Sequence, residues 1–249
     1  MIDDRKVALV TGGMGGLGEA ICTRLFRSGY RVVTTYSPRN EGASEWVDAH
    51  RKEGVEVSAY KVDVSDYASC DAAVRRIVTE TGRIDILVNN AGITRDATLK
   101  KMSLEDWHAV LRTNLDGVFN MTRPVLQGML ESQWGRIVNI SSVNGQKGAF
   151  GQVNYAAAKA GVHGFTKALA LEVAGKGITV NTVSPGYLRT KMVMTVPTDI
   201  LETKILPEIP VGRLGEPDEI AALVAYLCSE EAAFVTGANI AINGGQHMY

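Results

Sequence analysis

Short, β-rich apolar runs alternate with longer helical patterns along almost the whole chain. Near-continuous apolar runs of this kind are typical of strands that are buried on both faces of a parallel sheet. The predicted strands cover residues 7–10, 31–36, 55–62, 84–88, 137–140, 178–183 and 238–242. Because crossovers between parallel strands are right-handed, this order predicts a doubly wound α/β fold.

The chain reads as one domain, residues 1–249, since it contains no linker, internal repeat or low-complexity segment. One stretch, residues 188–214, breaks the rhythm, with three prolines between apolar helical pieces. A long insertion of this kind is usually functional, and we expect a lid over an active site. An ordinary packing excursion is the alternative.

Composition limits the classes of function. The 26 basic and 27 acidic residues are interspersed, so no nucleic-acid surface is expected. No apolar stretch approaches the ~20 residues of a membrane span, and no signal-peptide region precedes the first strand. Three cysteines outside any Cys-x-x-Cys suit a reducing cytoplasm, and four histidines without zinc-like spacing indicate no metal site.

A glycine-rich loop follows the first predicted strand and precedes a helix. Such a loop lets the backbone approach a diphosphate, while the helix N-terminus offers N–H groups to the anion. Gly13, Gly15 and Gly18 match the spacing G-x-G-x-x-G. Gly12, Gly16 and Gly18 match T-G-x-x-x-G-x-G instead. In either spacing, the strand, loop and helix together predict a dinucleotide site.

The end of the second predicted strand indicates which dinucleotide is bound. Enzymes that select NAD commonly place a carboxylate there for the ribose 2′-hydroxyl, but here no carboxylate occurs before Glu41. Arg39 is able to hold a 2′-phosphate, with Ser37 donating a hydrogen bond. We therefore predict NADP (NADPH) as the cofactor, with a surface arginine as the alternative.

Two further polar stretches follow the third and fourth predicted strands. Asp63, which precedes Val64, is placed to accept a hydrogen bond from the adenine amino group, although it is equally placed to cap the next helix. Asn90, Ala91 and Gly92 form a break of small and polar residues that allows a cofactor close to the backbone.

A tyrosine and a lysine occur four residues apart in alanine-rich sequence that favours helix. Residues i and i+4 share a helix face, so Lys159 is expected beside the Tyr155 hydroxyl. A nearby cation favours the phenolate, and we expect it to lower the pKa of Tyr155 from about 10 toward neutrality. This would make the phenol an effective acid-base catalyst.

Together these residues make the chain resemble the short-chain dehydrogenase/reductases from end to end, through residues 11–18, 89–92, 114, 142, 155, 159 and 185–186. The resemblance implies a Rossmann fold with a seven-stranded parallel sheet, and it selects the spacing through Gly12, Gly16 and Gly18. With the residues above, the predicted cofactor site comprises Gly12, Gly15, Gly16, Leu17, Gly18, Ser37, Arg39, Asp63, Val64, Asn90, Ala91, Gly92, Tyr155, Lys159, Pro185 and Gly186.

The resemblance also implies four catalytic roles. Tyr155 would transfer a proton to or from the substrate oxygen, and Ser142 would hydrogen-bond that oxygen. Lys159 would lower the tyrosine pKa and bind the nicotinamide ribose, and Asn114 would hold a water in a proton relay. These roles agree with the residue types, because reducing a ketone builds charge on oxygen and requires donors and a proton source there.

Within the family, residues 90–96, 141–155 and 243–248 resemble most the acetoacetyl-CoA reductases of polyhydroxyalkanoate synthesis. This likeness implies NADPH-dependent reduction of acetoacetyl-CoA to a (3R)-3-hydroxyacyl-CoA. The 3-oxoacyl-carrier-protein reductases are the first alternative, but they tend to carry basic residues where segments 131–134 and 169–172 have none here. A non-catalytic NADP-sensing protein is the alternative from another class.

Substrate contacts are predicted for Asp96, Lys101, Ser142, Phe150, Gln152, Tyr155 and Tyr187. Phe150 and Tyr187 would form an aromatic wall around a short acyl chain, and Gln152 would bond a thioester or amide oxygen. Ala149 departs from the larger polar residue expected in that subfamily. The family usually forms tetramers through two long helices, here predicted over residues 107–130 and 154–174, so we expect a homotetramer with the tail 246–249 docked on a neighbour.

Overall fold

Seven parallel strands form the sheet of the protein, in a computed structural model that describes residues 4–190 and 193–248. The strands are β1 (Val7–Val10), β2 (Arg31–Tyr36), β3 (Val57–Lys61), β4 (Ile86–Asn89), β5 (Gly135–Ile140), β6 (Ile178–Pro185) and β7 (Asn239–Ile242). Their order is β3-β2-β1-β4-β5-β6-β7, and every neighbouring pair is parallel. The predicted single-domain, doubly wound Rossmann fold with a seven-stranded parallel sheet is confirmed.

Helices cover both faces of the sheet. They are α1 (Gly16–Arg27), α2 (Ala43–Lys52), α3 (Tyr67–Thr81), α4 (Leu104–Leu111), α5 (Gly117–Ser132), α6 (Asn144–Lys147), α7 (Val153–Val173), α8 (Thr198–Ile200) and α9 (Pro217–Cys228). Successive residues of a strand point to opposite faces. Leu9 therefore packs in the core with α3, α5 and α7, while Ala8 and Val10 pack with α1 and α9. This double coverage explains why the strands read as continuous apolar runs.

Four strands, β3 to β6, begin or end two residues from their predicted bounds, and the causes are visible at β3 and β6. β3 begins at Val57, because the Val55 N–H donates to the His50 carbonyl (2.9 Å) in a turn after α2. β6 continues to Pro185, since Ser184 and Pro185 pair with β7. The longer β6 carries its chain to the carboxyl edge of the sheet, where open parallel sheets bind their ligands.

The helix predicted over residues 107–130 lies within one continuous helical run, Leu104 to Ser132, that contains a π-helical turn the prediction did not include. α4 ends at Leu111, α5 begins at Gly117, and a π-helical turn (Arg112–Asp116) joins them. Asn114 lies in this turn and donates from Nδ2 to the Val110 carbonyl (2.8 Å). Wide turns of this type occur frequently at functional sites. The second predicted helix, over residues 154–174, corresponds to α7.

The segment predicted as a lid leaves β6 and returns beside its own start, where Leu188 pairs with Gly215. Between them are α8 and three short helical turns, Val193–Thr195, Leu201–Ile205 and Leu206–Glu208. Ile209 is buried, so the returning part packs on the domain. Residues 191 and 192 of the predicted lid, residues 1–3 and residue 249 of the tail lie outside the described residues.

Candidate active site

The loop after β1 and the segment after β4 are hydrogen-bonded together at the carboxyl edge of the sheet. Thr11 Oγ1 accepts from the backbone N–H groups of Asn90 (2.9 Å) and Ala91 (3.0 Å). Asn90 Nδ2 donates to the Gly12 carbonyl (3.2 Å). Gly12 has a φ of +66°, and a Cβ there would lie 3.0 Å from Ala91 Cα. The predicted residues of both segments therefore form one surface, and the Thr11 hydroxyl, to which the sequence alone assigned no role, connects them.

The glycines of the loop after β1 fall into two groups. A Cβ at Gly13 or Gly18 would lie within 2.8 Å of neighbouring side chains, so the packing of the protein requires both. At Gly15 and Gly16 the nearest atoms are 3.7 and 3.5 Å away, an ordinary contact distance, and Thr190 provides the one beside Gly16. The open side of the loop and the first N–H groups of α1, which have no intrahelical acceptors, fit a diphosphate.

The turn after β2 places an exposed arginine beside this loop. The Arg39 N–H donates to Ser37 Oγ (3.3 Å), and both side chains face solvent. Asn40 Nδ2 donates to Met14 Sδ (3.4 Å), which holds the turn against the glycine loop. The Arg39 side chain is exposed, so its guanidinium is accessible to an anion.

The segment after β3 carries two carboxylates, Asp63 and Asp66, which have different hydrogen-bond partners. Asp63 Oδ1 accepts from the backbone N–H (3.0 Å) and the hydroxyl (2.6 Å) of Ser65. Asp66 is the N-cap of α3 and accepts from two backbone N–H groups of its first turn. The alternative that Asp63 caps this helix is therefore wrong. The Val64 side chain is buried in the core, so any ligand contact of Val64 has to come from its backbone.

Tyr155 and Lys159 share one face of α7, next to the end of β5. Lys159 Nζ lies 5.6 Å from the centroid of the Tyr155 ring and donates to the Ile140 carbonyl (2.8 Å). Ser142 hydrogen-bonds to the Tyr155 phenol, and its Oγ accepts from the Asn144 N–H (3.1 Å). The Ser142 hydrogen bond lowers the pKa of the phenol, as expected when the serine hydroxyl donates to the phenol oxygen.

Asn114 approaches the same site from the turn between α4 and α5. Its amide accepts from the Ile93 N–H (3.2 Å) and donates to the Ile93 carbonyl (2.9 Å). A Cβ at Gly92 would lie 2.5 Å from Asn114 Oδ1 and 3.6 Å from Lys159 Nζ. Gly92 therefore separates Asn114 from Lys159, and the four predicted catalytic residues converge at one edge of the sheet.

Lys159 is 4% exposed as a residue, and the Ile140 carbonyl is the one acceptor of its ammonium in the described part of the chain. An ammonium group has three N–H donors, so two of them are directed into the site without a protein partner. Buried donors are almost always hydrogen-bonded in native proteins. The hydroxyl groups of a nucleotide ribose fit these donors, and the open glycine loop fits the attached diphosphate.

Burial governs the protonation of both residues. Burial raises the pKa of the Tyr155 phenol above its ordinary value, the hydrogen bond from Ser142 opposes this rise, and the charge of Asp96 adds to it. The expectation that Lys159 lowers this pKa is therefore wrong in direction. Burial also lowers the pKa of Lys159 to about 8. Both effects disfavour the charged form, as expected for ionisable groups out of contact with water.

Two of the predicted substrate residues are engaged with each other. Gln152 Nε2 donates to Asp96 Oδ2 (2.8 Å), and Gln152 Oε1 accepts from Asn144 Nδ2 (2.9 Å). The carbonyl and one N–H of the Gln152 amide therefore already have protein partners, which leaves one N–H for the thioester or amide oxygen of a ligand. This chain of contacts ties the loop before α7 to the segment after β4.

The other predicted substrate residues differ in their surroundings. Phe150 is 95% exposed, and Lys101 is exposed in the turn before α4. Tyr187 lines a cavity of about 130 Å³ with Leu188, Ile209 and other residues of the returning segment, and Phe150 is not among its lining residues. The aromatic wall of Phe150 and Tyr187 stays a prediction.

Pro185 and Gly186 close the site from β6. The Pro185 carbonyl accepts from the Val143 N–H (2.8 Å), and the Gly186 N–H donates to the Ile242 carbonyl (3.0 Å). These bonds hold the end of β6 between β7 and the segment that carries Ser142.

Three general features complete the description. No helix within the described ranges is long and apolar enough to cross a membrane. Over the same residues, no group of three or more His, Cys, Asp or Glu side chains is arranged to hold a metal ion. The three cysteines are buried free thiols.

Comparisons with known proteins agree with this geometry. The profile of the short chain dehydrogenase family matches residues 6–200. An acetoacetyl-CoA reductase of Cupriavidus necator is 53% identical over 244 residues, which cover 98% of this chain and 99% of the relative. An acetoacetyl-CoA reductase of Rhizobium meliloti is 54% identical over 243 residues, with coverage of 98% and 99%. A 3-oxoacyl-acyl-carrier-protein reductase of Vibrio cholerae is 46% identical over 243 residues, 98% of each chain.

The buried lysine predicts a pH-dependent stability. The pKa of Lys159 is about 8 in the folded protein and 10.5 in its ordinary state, so the unfolded chain holds more protons between these values. The free energy of unfolding therefore rises with pH across this window. We expect Lys159→Met to remove this rise and to increase the free energy of unfolding at pH 7 by roughly 2 kcal/mol. Urea denaturation at pH 7 and pH 10 measures both effects.

Lys167→Met is the matched control, because Lys167 lies on the same helix with its side chain exposed. This variant should keep the pH dependence of the parent chain. A Lys159→Met protein that is less stable at pH 7 and retains the parent slope would contradict the prediction.

Proposed function

The chain belongs to the short-chain dehydrogenase family of oxidoreductases, which use a nicotinamide cofactor, and we propose that it is an NADPH-dependent acetoacetyl-CoA reductase. The proposed reaction converts a short 3-oxoacyl-CoA to the (3R)-3-hydroxyacyl-CoA. The convergence of Ser142, Tyr155 and the buried Lys159 at the carboxyl edge of the sheet carries the assignment of a carbonyl reductase. Relatives that are 53% and 54% identical and are named acetoacetyl-CoA reductases support the choice of substrate.

In the proposed site, the N-terminus of α1 and the open side of Gly15 and Gly16 bind the diphosphate. The two unpartnered N–H groups of Lys159 bind the nicotinamide ribose, and Asp63 Oδ2 accepts from the adenine amino group. The remaining contacts come from the backbone around residues 90–92 and 185–186. When bound, the nicotinamide supplies the hydride that reduces the carbonyl carbon.

The proton chemistry is assigned to the residues of this chain. Ser142 donates a hydrogen bond from its hydroxyl to the substrate oxygen and keeps its proton, while its Oγ accepts from the Asn144 N–H. Tyr155 donates the proton that the reduced oxygen requires, and its raised pKa keeps it protonated at neutral pH. The Lys159 ammonium, whose Nζ lies 5.6 Å from the centroid of the Tyr155 ring, is the proton source from which the resulting phenolate is reprotonated. Asn114, across Gly92 from Lys159, is placed to hold the water of a proton relay.

The charge at the C-terminal ends of α5 and α7 favours coenzyme A over a carrier protein. Acyl-carrier proteins are acidic and require basic residues on their partner. Here the end of α5 carries Glu131, and the corresponding part of α7 carries Glu172, both exposed to solvent. These carboxylates would repel an acidic carrier protein. They would not affect the acyl group itself, because they lie outside the site that holds it.

Side-by-side kinetics with NADPH test the substrate assignment. We expect kcat/KM for acetoacetyl-CoA to exceed that for the same acyl group on a carrier protein by at least about tenfold, which corresponds to roughly 1.4 kcal/mol of binding discrimination. Equal or better turnover of the carrier-protein substrate would replace the proposal with the carrier-protein reductase.

Tyr155→Phe serves as the control for catalysis. It removes only the hydroxyl, and the loss of a general acid should lower kcat by about 100-fold or more. A variant that keeps most of its turnover would instead favour a protein that binds the nucleotide without using Tyr155 for chemistry, such as an NADP sensor.

The preference for NADPH depends on Arg39, with Ser37 beside it. A charge-assisted hydrogen bond to a 2′-phosphate contributes about 1.5–3 kcal/mol, so Arg39→Ala should lower kcat/KM for NADPH by about 10- to 100-fold. The value for NADH, which lacks this phosphate, should stay unchanged. Arg51→Ala, at another exposed arginine, is the control. Parent enzyme that uses NADH as well as NADPH would refute the assignment.

We also propose a homotetramer in the cytoplasm, assembled through α5 and α7. These helices expose Phe119 and Leu171, which are 48% and 87% accessible in the single chain. Large apolar side chains on a helix face favour burial against another copy. Light scattering at micromolar concentration should give four times the chain mass of 26.8 kDa. A monomeric mass would contradict the proposed assembly.

A further inference from the structure

His163 lies on α7 one turn after Lys159 and faces the ends of two strands. Its Nε2 is 2.8 Å from the hydroxyl oxygen of Ser141, which follows β5 directly. The same nitrogen is 3.4 Å from the hydroxyl of Ser184 on β6. The imidazole is thus half-buried between the helix that carries the candidate catalytic lysine and the strands that form the floor of the site.

The direction of these hydrogen bonds follows from the partners of the two serines. Ser141 Oγ donates to the Lys159 main-chain carbonyl (2.9 Å), because a carbonyl only accepts. Ser184 Oγ donates to Asn239 Oδ1 (2.6 Å). Each serine has a single hydroxyl proton, and each proton is already donated to one of these acceptors. His163 Nε2 must therefore carry a hydrogen and donate it to the serine oxygens.

The ring is neutral under ordinary conditions. Burial lowers the pKa of His163 below its ordinary value, and the nearby charges of Lys167 and Lys159 lower it further. A neutral imidazole with its proton on Nε2 is the tautomer that these bonds require. The donation to Ser141 consequently does not depend on charging the histidine beside the buried ammonium.

Lys159 is therefore held at both of its ends by consecutive residues. Its Nζ donates to the Ile140 carbonyl (2.8 Å), and its main-chain carbonyl accepts from the next residue, Ser141 (2.9 Å). The residue after that is Ser142, which hydrogen-bonds to Tyr155. Three successive residues at the end of β5 thus locate the lysine backbone, the lysine ammonium and the phenol relative to one another.

We propose that His163 is a positioning residue, whose Nε2–H fixes the Ser141 hydroxyl on the Lys159 carbonyl and thereby places the Lys159 ammonium beside Tyr155. The inference deepens the proposed function, since it rests on the roles assigned there to Lys159 and Tyr155. Without the histidine donor, the Ser141 oxygen loses a partner, and its hydroxyl is free to rotate away from α7. The ammonium then becomes less ordered without any change in the catalytic residues themselves.

Two substitutions of His163 separate positioning from packing. His163→Leu removes the donor with similar bulk, and we expect it to lower kcat by about fivefold, the effect of losing one neutral hydrogen bond. It should weaken the binding of NADPH by a similar factor, because Lys159 is assigned to the ribose. His163→Gln restores an uncharged N–H at similar reach and should recover at least half of the parent kcat. An equal decrease in kcat in both variants would overturn the proposal, and so would an unchanged kcat in both.

The serines provide the matched pair of controls. Ser141→Ala should reproduce the loss in His163→Leu, and the double variant should be no worse than either single one, since both remove the same contact. Ser184→Ala should leave kcat close to the parent value, because the link through Ser141 remains. Losses that multiply in the double variant, or an equal loss in Ser184→Ala, would assign His163 a purely structural role.

The binding measurement keeps this test independent of the substrate assignment. NADPH affinity, followed by quenching of protein fluorescence, responds to the position of Lys159 even in an enzyme that rejects acetoacetyl-CoA. Parent protein that binds NADPH but does not reduce acetoacetyl-CoA would refute the proposed substrate and leave the His163 test intact. Unchanged NADPH affinity in His163→Leu would refute the positioning role alone.

Discussion

Burial of the Lys159 ammonium is the constraint on which the arrangement of the site depends. Removing a charged group from water costs several kcal/mol unless hydrogen bonds replace its hydration. Among residues 4–190 and 193–248 its one acceptor is the Ile140 carbonyl, and burial lowers the pKa of Lys159 to about 8, as expected when this compensation is incomplete. The remaining cost has to be carried by the packing of α7 on β5 and β6, through buried residues such as Ala158 and Val162. The packing of the fold thus keeps the Lys159 ammonium buried although its charge is unfavourable there. The hydroxyl groups of a bound nucleotide ribose would supply the hydrogen bonds that the ammonium lacks.

A buried polar network explains how α7 keeps its register on the sheet. Asn89 Nδ2 on β4 donates to Asn139 Oδ1 on β5 (2.8 Å), and Asn139 Nδ2 donates to Thr166 Oγ1 on α7 (2.9 Å). Thr182 on β6 donates to the same threonine (2.7 Å). Apolar contacts alone allow a helix to slide by small amounts, whereas bonded polar groups in a core have few alternative positions. Thr166 and Lys159 are on the same helix, so this network helps to fix the position of the lysine relative to β5 and β6.

The fold and the main site residues were predictable because they depend on short-range patterns. Continuous apolar strands, a glycine loop after β1, and the four-residue spacing of Tyr155 and Lys159 are all visible in the sequence. The π-helical turn at Asn114 was not predictable, because it depends on the Ile93 backbone, which lies 21 residues away along the chain. The engagement of Gln152 with Asp96 escaped notice for the same reason, since it joins residues that are 56 positions apart.

The direction of the Tyr155 pKa escaped sequence reasoning for a different reason. The helical spacing correctly placed a cation on the same face, but spacing does not give burial or distance. At 5.6 Å from the ring centroid, Lys159 is not among the groups that shift the phenol, and burial dominates instead. Ser141 and His163 were missed because their contribution comes from hydrogen-bond direction, and no motif of residue types records that direction.

The two pKa shifts together determine the direction of proton transfer in the proposed reaction. In the site, the phenol of Tyr155 has a pKa above its ordinary value of about 10, and the ammonium of Lys159 has one of about 8. At pH 7 the phenol is therefore protonated and ready to donate, while the lysine is charged in a ratio of about ten to one. Once Tyr155 has given its proton to the substrate oxygen, the resulting phenolate is a stronger base than the neutral lysine. Transfer of a proton from the ammonium to the phenolate is consequently favourable. Burial therefore works against a phenolate acting as a base, but it favours restoring the protonated phenol after each reduction.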